Sequence, residues 1–350
     1  MSTQSELHTT IQALFASQKG LLAADESSKS AQKRFDALNI PCNEETRRQY
    51  RQMLLTTPGV AQYLSGVIFY DETLRQATDS GQSFPAYLKE QGIIPGIKVD
   101  KGLVPLDNYP DETITEGLDG LADRLKEYFE LGARFAKWRA AFKVTDTLPS
   151  QGALHANLHT MARYASVCQT AGIVPIVEPE VMYDGEHTIF RAHEVTEAAL
   201  KLLVQLLRAY RVDLNNCIVK TSMVLAGKSA PTQSTPAEVA EHTLTVLTAA
   251  LPPEIGGVVF LSGGQTPVQA RDNLQAIGLA GKQPWPITFS FSRAVQDPAM
   301  KEWAGKQENI PAAQKIYFEL TRDCALARDG KFHAQTSGSG VDFVSASQDS

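Results

Sequence analysis

Residues 173–221 contain two short apolar runs, IVPIVEP (173–179) and NCIVKT (216–221), on either side of the segment HEVTEAALKLLVQLLRAYR (193–211). Short apolar runs bounded by Gly, Pro and Asn are typical of strands that are buried on both faces. Apolar residues recur at helical spacing in the segment between them, and its basic end favours a helix C-terminus. This region therefore predicts a strand, a helix and a second strand.

The same pattern recurs along the chain. Six further runs predict buried strands: GLLAAD (20–25), GVIFY (66–70), IPGIKV (94–99), ARFAKWR (133–139), GVVFLS (257–262) and ITFSFS (287–292). Helical patterns lie between them, including LADRLKEYFELG (121–132) and a helix capped by Thr235 with Pro236 at its first position. Eight strand–helix units imply an α/β protein with a single closed (β/α)8 TIM barrel. A doubly wound open sheet is the alternative, but it usually has fewer strands, and its glycine-rich fingerprint GxGxxG is absent from the sequence.

The two ends of the chain differ from its body. We expect residues 1–333 to form one catalytic barrel domain. Residues 334–350, AQTSGSGVDFVSASQDS, are small and polar and predict a flexible C-terminal tail. The first residues, MSTQSELHTTIQALFASQ, predict a short amphipathic helix and lack the basic and apolar regions of a signal peptide.

Composition excludes several classes of protein. The 350 residues are 43% hydrophobic, which is incompatible with a mainly disordered chain. A net charge of −6 argues against general nucleic-acid binding, and no window holds the roughly 20 apolar residues of a membrane helix. The four cysteines form no CxxC pair and no disulfide framework, which favours a reducing compartment. We therefore expect a cytoplasmic protein with neither nucleic-acid nor membrane partners.

Charged residues interrupt the apolar runs near their carboxyl ends. They are Asp25, Lys98, Lys137, Arg139, Glu178, Glu180 and Lys220; Ser262-Gly263-Gly264 ends the seventh run, and Arg293 follows the eighth. A charge inside a barrel is costly unless it is paired. Barrel enzymes keep their chemistry at the carboxyl ends of the strands. The sequence therefore predicts one pocket at that face, lined by several cations and carboxylates.

This set of charges suggests a reaction. Several lysines and arginines among carboxylates suit an anionic substrate with two phosphates. A lysine inside an apolar strand, beside other cations, is expected to lose its proton more readily and to attack a carbonyl. Nearby carboxylates can serve as general acid or base. An iminium formed on the lysine can act as the electron sink, so this chemistry requires no metal and no other cofactor.

The chain resembles the class I, Schiff-base type of fructose-1,6-bisphosphate aldolase over roughly residues 12–332. The matching motifs are LLAADES (21–27), GIKVDKG (96–102), GLDGL (117–121), FAKWR (135–139), ARYAS (162–166), GIVPIVEPE (172–180), FLSGGQ (260–265) and TFSFSRA (288–294). The resemblance implies reversible cleavage of fructose 1,6-bisphosphate to dihydroxyacetone phosphate and glyceraldehyde 3-phosphate in glycolysis and gluconeogenesis. It also implies a homotetramer.

The resemblance implies a role for each matching residue. Lys220 falls on the Schiff-base lysine, Glu178 on the acid/base for the carbinolamine hydroxyl, and Asp25 on the carboxylate beside the C4 hydroxyl. Lys137 and Glu180 match their charged neighbours. The implied substrate-binding residues are Arg139, then Ser262, Gly263 and Arg293 at the C1 phosphate, and Ser27, Ser30, Arg34 and Lys98 toward the C6 phosphate and the sugar hydroxyls.

Two positions depart from the family's animal members. Ser292 replaces the glycine that usually precedes the last-strand arginine, which leaves one backbone contact to phosphate open. The chain ends in Asp349-Ser350 rather than in a tyrosine that assists proton exchange on the enamine.

Other functions stay open. The preferred substrate could be another ketose phosphate, such as sedoheptulose 1,7-bisphosphate or fructose 1-phosphate, or the chain could be a non-catalytic phosphosugar-binding protein. A zinc-dependent aldolase is a third alternative. His155 and His159 have a spacing that can bind zinc, but no third ligand is evident, so we expect an exposed helix face there and no metal site.

Overall fold

Within residues 3–333, which the computed structural model describes, eight parallel strands close into a barrel. The strands of the described residues are β1 (Gly20–Ala24), β2 (Leu64–Phe69), β3 (Ile94–Lys98), β4 (Gly102–Pro105), β5 (Thr113–Glu116), β6 (Phe135–Phe142), β7 (Val174–Val181), β8 (Ile218–Thr221), β9 (Gly257–Phe260) and β10 (Ile287–Phe291). Around the barrel the order is β1, β2, β3, β6, β7, β8, β9 and β10, and β10 pairs with β1. Each barrel strand overlaps one of the eight apolar runs, so the predicted (β/α)8 barrel is confirmed. The predicted flexible tail, residues 334–350, lies outside the described residues.

Helices surround the barrel and connect its strands. They are α1 (Thr3–Leu14), α2 (Ser28–Asp36), α3 (Glu44–Leu55), α4 (Asp71–Leu74), α5 (Phe84–Glu90), α6 (Leu121–Glu130), α7 (Gln151–Thr170), α8 (Ile189–Ala209), α9 (Pro236–Ala250), α10 (Pro267–Leu279), α11 (Arg293–Trp303) and α12 (Ile310–Arg328). Thr235 caps α9 in a capping box, as the sequence predicts. α8 begins at Ile189, four residues before the periodic segment, because the Thr188 hydroxyl accepts the backbone N–H of Arg191 and starts the helix there. In the part of the chain that the structure describes, no helix combines the length and apolar character needed to cross a membrane.

The hairpin formed by β4 and β5 was not predicted from the sequence. The two strands pair antiparallel, Leu103 opposite Thr115 and Val104 opposite Ile114, and lie outside the barrel. Each has only four residues, and β4 alternates between half-buried and exposed side chains. Such a short, half-exposed strand lacks the continuous apolar run that marks the barrel strands.

Helix α1 lies against the interior of the barrel. Its residues Leu7, Ile11 and Leu14, together with Phe15, belong to one buried cluster with side chains of the barrel strands. A Cβ added to Gly257, the first residue of β9, would lie 2.2 Å from the Phe15 ring, so Phe15 packs at the amino end of that strand. Burying side chains of this size stabilises the fold by about 1.5–3 kcal/mol each. The predicted amphipathic helix therefore covers the end of the barrel opposite to the carboxyl ends of the strands.

The side chains that point into the barrel are apolar in its middle and charged at its carboxyl end. The interior is filled by apolar side chains, which include Leu21, Ile68, Phe135, Ile176, Ile218 and Val259. On β6, β7 and β8 the residues two positions after these apolar side chains, on the same face, are Lys137, Glu178 and Lys220. Trp138 points the other way and is buried against Tyr164, at a ring-centroid distance of 5.4 Å.

Candidate active site

A cavity of about 1110 Å³ opens at the carboxyl ends of the barrel strands. Twelve of the thirteen residues predicted for the site line it: Asp25, Ser27, Ser30, Lys98, Lys137, Arg139, Glu178, Glu180, Lys220, Ser262, Gly263 and Arg293. They come from strands, from the turns that follow them and from the first turns of helices far apart in sequence, and barrel closure brings them together. The thirteenth, Arg34, does not line the cavity.

Four charged groups form a chain at the bottom of the cavity. The Lys137 Nζ lies 2.6 Å from Asp25 Oδ2 and 3.2 Å from Glu178 Oε2. On the other side of Glu178, its Oε1 lies 3.1 Å from Lys220 Nζ. Lys137, Glu178 and Lys220 are each only 3% exposed. Two cations and two carboxylates thus alternate, which offsets the cost of burying each charge.

The charge chain shifts the protonation of its members. Burial by itself raises the pKa of Asp25, but the nearby ammonium groups of Lys137 and Lys220 outweigh burial and lower it to about 2. Burial lowers the pKa of Lys137, and the carboxylates of Asp25 and Glu178 reverse this effect and raise it above its ordinary value. At neutral pH, Asp25 is therefore a carboxylate and Lys137 an ammonium.

Two further pairs line the walls. The Arg139 Nε donates to Glu180, and burial, which raises the pKa of Glu180, is outweighed by the guanidinium, which lowers it. The Lys98 Nζ donates to the backbone oxygen of Asp100 at 2.8 Å and to its carboxylate. Asp100 was not predicted, although its place two residues after Lys98 in GIKVDKG is the signal that could have identified it.

A glycine turn forms the part of the lining nearest Arg293. Gly263 and Gly264 follow β9 with φ angles of 57° and 95°, a left-handed conformation that favours glycine. A Cβ at Gly264 would lie 3.4 Å from Arg293 Nη2, so the guanidinium sits directly over this turn. Backbone N–H groups in such a turn, beside an arginine fork, suit a phosphate.

Arg34 instead belongs to a polar cluster beside the cavity. Its Nη1 donates to Glu26, and its Nη2 lies 2.6 Å from Asp297 Oδ1. Glu26 also forms an ion pair with Arg51, whose Nη2 lies 2.6 Å from Glu26 Oε2. Glu26 lines the cavity and was missed, although it stands between the predicted Asp25 and Ser27 in the sequence.

The two histidines with zinc-like spacing lie on α7. His155 is exposed, and His159 Nε2 lies 2.6 Å from the hydroxyl of Tyr210. Among residues 3–333, no three His, Cys, Asp or Glu side chains are grouped so that they could hold a metal ion.

Known proteins resemble this chain over most of its length. The family model described as fructose-bisphosphate aldolase class-I matches residues 6–347. A probable fructose-bisphosphate aldolase class 1 of Xylella fastidiosa is 48% identical over 328 residues, which cover 93% of this chain and 98% of that protein. Cytosolic fructose-bisphosphate aldolase 4 of Arabidopsis thaliana is 48% identical over 300 residues, 85% of this chain and 76% of the relative.

A solved structure has the same fold. Fructose-bisphosphate aldolase from Plasmodium falciparum superimposes with a TM-score of 0.93 at 40% identity, covering 95% of this chain and 96% of that one. Family, sequence and fold thus agree over most of the length. The chain belongs to the class I fructose-bisphosphate aldolase family.

Proposed function

We propose that the cavity cleaves fructose 1,6-bisphosphate reversibly to dihydroxyacetone phosphate and glyceraldehyde 3-phosphate through an imine on Lys220. The observation that carries the proposal is the alternating chain Asp25, Lys137, Glu178, Lys220 at the closed end of a cation-lined cavity. These four residues supply a nucleophile, an acid/base and a second base, all close enough to contact one bound sugar.

Lys220 is the better nucleophile of the two buried lysines. Lys137 is held as an ammonium by two carboxylates, so it has no lone pair to attack a carbonyl. Lys220 is within ion-pair distance of one carboxylate, Glu178, whose Oε1 lies 3.1 Å from its Nζ and is placed to act as its base. The free amine attacks the C2 ketone to give a carbinolamine. Glu178 then returns a proton to the C2 hydroxyl, water leaves, and a protonated imine remains.

Carbon–carbon cleavage needs a base at the other end of the charge chain. Asp25 is ionised at neutral pH, so its carboxylate is free to accept the C4 hydroxyl proton. The C3–C4 electron pair moves into the iminium, the aldehyde leaves, and an enamine remains on Lys220. The Lys137 Nζ lies 2.6 Å from Asp25 Oδ2, so its ammonium stabilises the negative charge on the Asp25 carboxylate and on the C4 oxygen.

Two anion subsites bind the ends of the substrate. The C1 phosphate is assigned to Ser262, Gly263 and Arg293, and the C6 phosphate to Ser27, Ser30 and Lys98. Arg139 and Glu180 contact the sugar between them. Arg34 supports the C6 end from behind, because its guanidinium is engaged by Glu26 and Asp297.

Borohydride trapping tests the nucleophile. Incubation with fructose 1,6-bisphosphate and borohydride should add one substrate-derived adduct per chain, at Lys220. Lys220→Arg should abolish the adduct and lower cleavage by several orders of magnitude, because a guanidinium forms no imine. An adduct mapped to Lys98 or Lys137 would refute the assignment, and a protein that is never labelled would be a phosphosugar-binding protein instead.

Substrate range, location and assembly complete the proposal. Cleavage assays with fructose 1-phosphate and sedoheptulose 1,7-bisphosphate beside fructose 1,6-bisphosphate identify the preferred ketose phosphate. Cytoplasmic location is supported by the Arabidopsis relative that is named cytosolic. The family resemblance supports a homotetramer. Light scattering would measure the mass.

A further inference from the structure

A hydrogen bond joins two turns that carry different parts of the site. The Ser292 Oγ donates to Glu26 Oε1 at 2.8 Å. Glu26 lies in the turn after β1, next to Asp25 and Ser27, while Ser292 lies between β10 and Arg293, the first residue of α11. The two residues are 266 positions apart in sequence, and both line the cavity.

The acceptor of this bond is fixed and charged. Arg51 Nη2 lies 2.6 Å from Glu26 Oε2, and Arg34 donates to Oε1. Burial raises the pKa of Glu26, but Arg51 and Arg34 outweigh burial and lower it. Arg51 is only 3% exposed. Glu26 therefore presents an ionised oxygen at a set position, and a hydroxyl bonded to it is held more firmly than by a neutral acceptor.

The donor is oriented as well. Gln296 Nε2 donates to Ser292 Oγ at 3.3 Å and to the backbone oxygen of Ala23 at 2.7 Å. The Tyr50 hydroxyl donates to Gln296 Oε1 at 2.9 Å, which sets the orientation of this amide. Because the Ser292 oxygen accepts from Gln296, its proton is directed to Glu26. At Ser292 φ is −115°, so the backbone there does not require glycine.

We propose that Ser292 is a positioning residue that sets the spacing between the two phosphate subsites through its bond to Glu26. The inference rests on the proposed function, which assigns the C1 phosphate to Arg293 and the C6 phosphate to the turn with Ser27. A bisphosphate must reach both turns at once, so its binding depends on their separation. A monophosphate occupies one turn and is insensitive to that separation.

Kinetics on two substrates test this. Ser292→Ala should raise the KM for fructose 1,6-bisphosphate about tenfold, in line with loss of a hydrogen bond to a charged group, and leave kcat within about twofold. The KM for fructose 1-phosphate should change less than about threefold. Ser292→Thr keeps the hydroxyl and should restore most of the loss for the bisphosphate.

Ser65→Ala is the matched control. The Ser65 hydroxyl is buried at the opposite end of the barrel, where it donates to the backbone oxygen of Leu14 at 2.5 Å and lies 3.2 Å from that of Gly20. Its loss should lower the unfolding midpoint and leave both KM values unchanged. A similar KM rise in this control, an unchanged KM in Ser292→Ala, equal losses on both substrates, or no rescue by threonine would each overturn the inference. Failure of the proposed function is distinguishable, because it would abolish borohydride labelling of Lys220 in the unaltered protein.

Discussion

The two ends of the cavity differ in how their cations are paired, and two substitutions exploit the difference. Within residues 3–333, no carboxylate lies within ion-pair distance of Arg293, whereas the Lys98 ammonium is bonded to Asp100. Arg293→Ala should impair cleavage of fructose 1,6-bisphosphate and of fructose 1-phosphate alike, because both carry the C1 phosphate. Lys98→Ala should impair only the bisphosphate, because fructose 1-phosphate lacks the C6 phosphate.

The size of each effect follows from these contacts. A charge-assisted hydrogen bond is worth about 1.5–3 kcal/mol, which corresponds to about a 10- to 150-fold loss of kcat/KM for Arg293→Ala. Lys98 must give up or share its bond to Asp100 before it binds phosphate. Its net contribution is a difference between two charge-assisted bonds, so Lys98→Ala should cost roughly fivefold on the bisphosphate, about 1 kcal/mol.

The assay is steady-state kcat/KM for each variant on both substrates at one ionic strength, since salt screens these contacts. Lys143→Ala is the matched control, because Lys143 is exposed and pairs with Asp111 at 3.0 Å away from the cavity lining. It should leave both substrates unaffected. If Lys98→Ala lowers kcat/KM equally for both substrates, Lys98 acts through the fold or through the overall electrostatic field of the cavity, and its assignment to the C6 phosphate is wrong. If Arg293→Ala spares fructose 1-phosphate, the C1 subsite lies elsewhere.

Three further predictions concern protonation, metals and the barrel's other end. Asp25→Asn should lower the free energy of unfolding at pH 7 by about 2 kcal/mol, since lowering the Asp25 pKa from 3.8 to about 2 stabilises the fold by roughly 1.4 kcal/mol per pKa unit. This contribution is present above pH 3.8 and is lost as the pH falls toward 2, so urea titrations at pH 7 and 5 should give the same difference; a difference that shrinks between them would implicate another group. Prolonged treatment with a strong chelator should leave cleavage unchanged, and activity lost to chelator but restored by zinc would favour a metal-dependent reaction. Ile11→Ala should destabilise the fold by about 2–5 kcal/mol with the KM unaffected, because Ile11 packs at the end of the barrel away from the cavity; a raised KM would show that the two ends are coupled.

Much of the fold could be predicted because its signals are local. A strand buried on both faces needs a run of apolar residues, and such runs can be recognised one at a time, as in IVPIVEP (173–179). Charges such as Lys220 at the carboxyl ends of these runs stand out because burial there is costly. The β4–β5 hairpin has neither signal, since its strands are short and half exposed, and it was missed for that reason.

The sequence by itself determined which residues could meet at the carboxyl face of the barrel, while the tertiary structure decided which of them pair. Only barrel closure and strand register bring Lys137 between Asp25 and Glu178, direct Arg34 to Asp297 rather than to the cavity, and place Ser292 against Glu26. The physical reason is that these partners belong to different strand–helix units. No local pattern encodes a contact whose geometry depends on the position of every strand between the two residues.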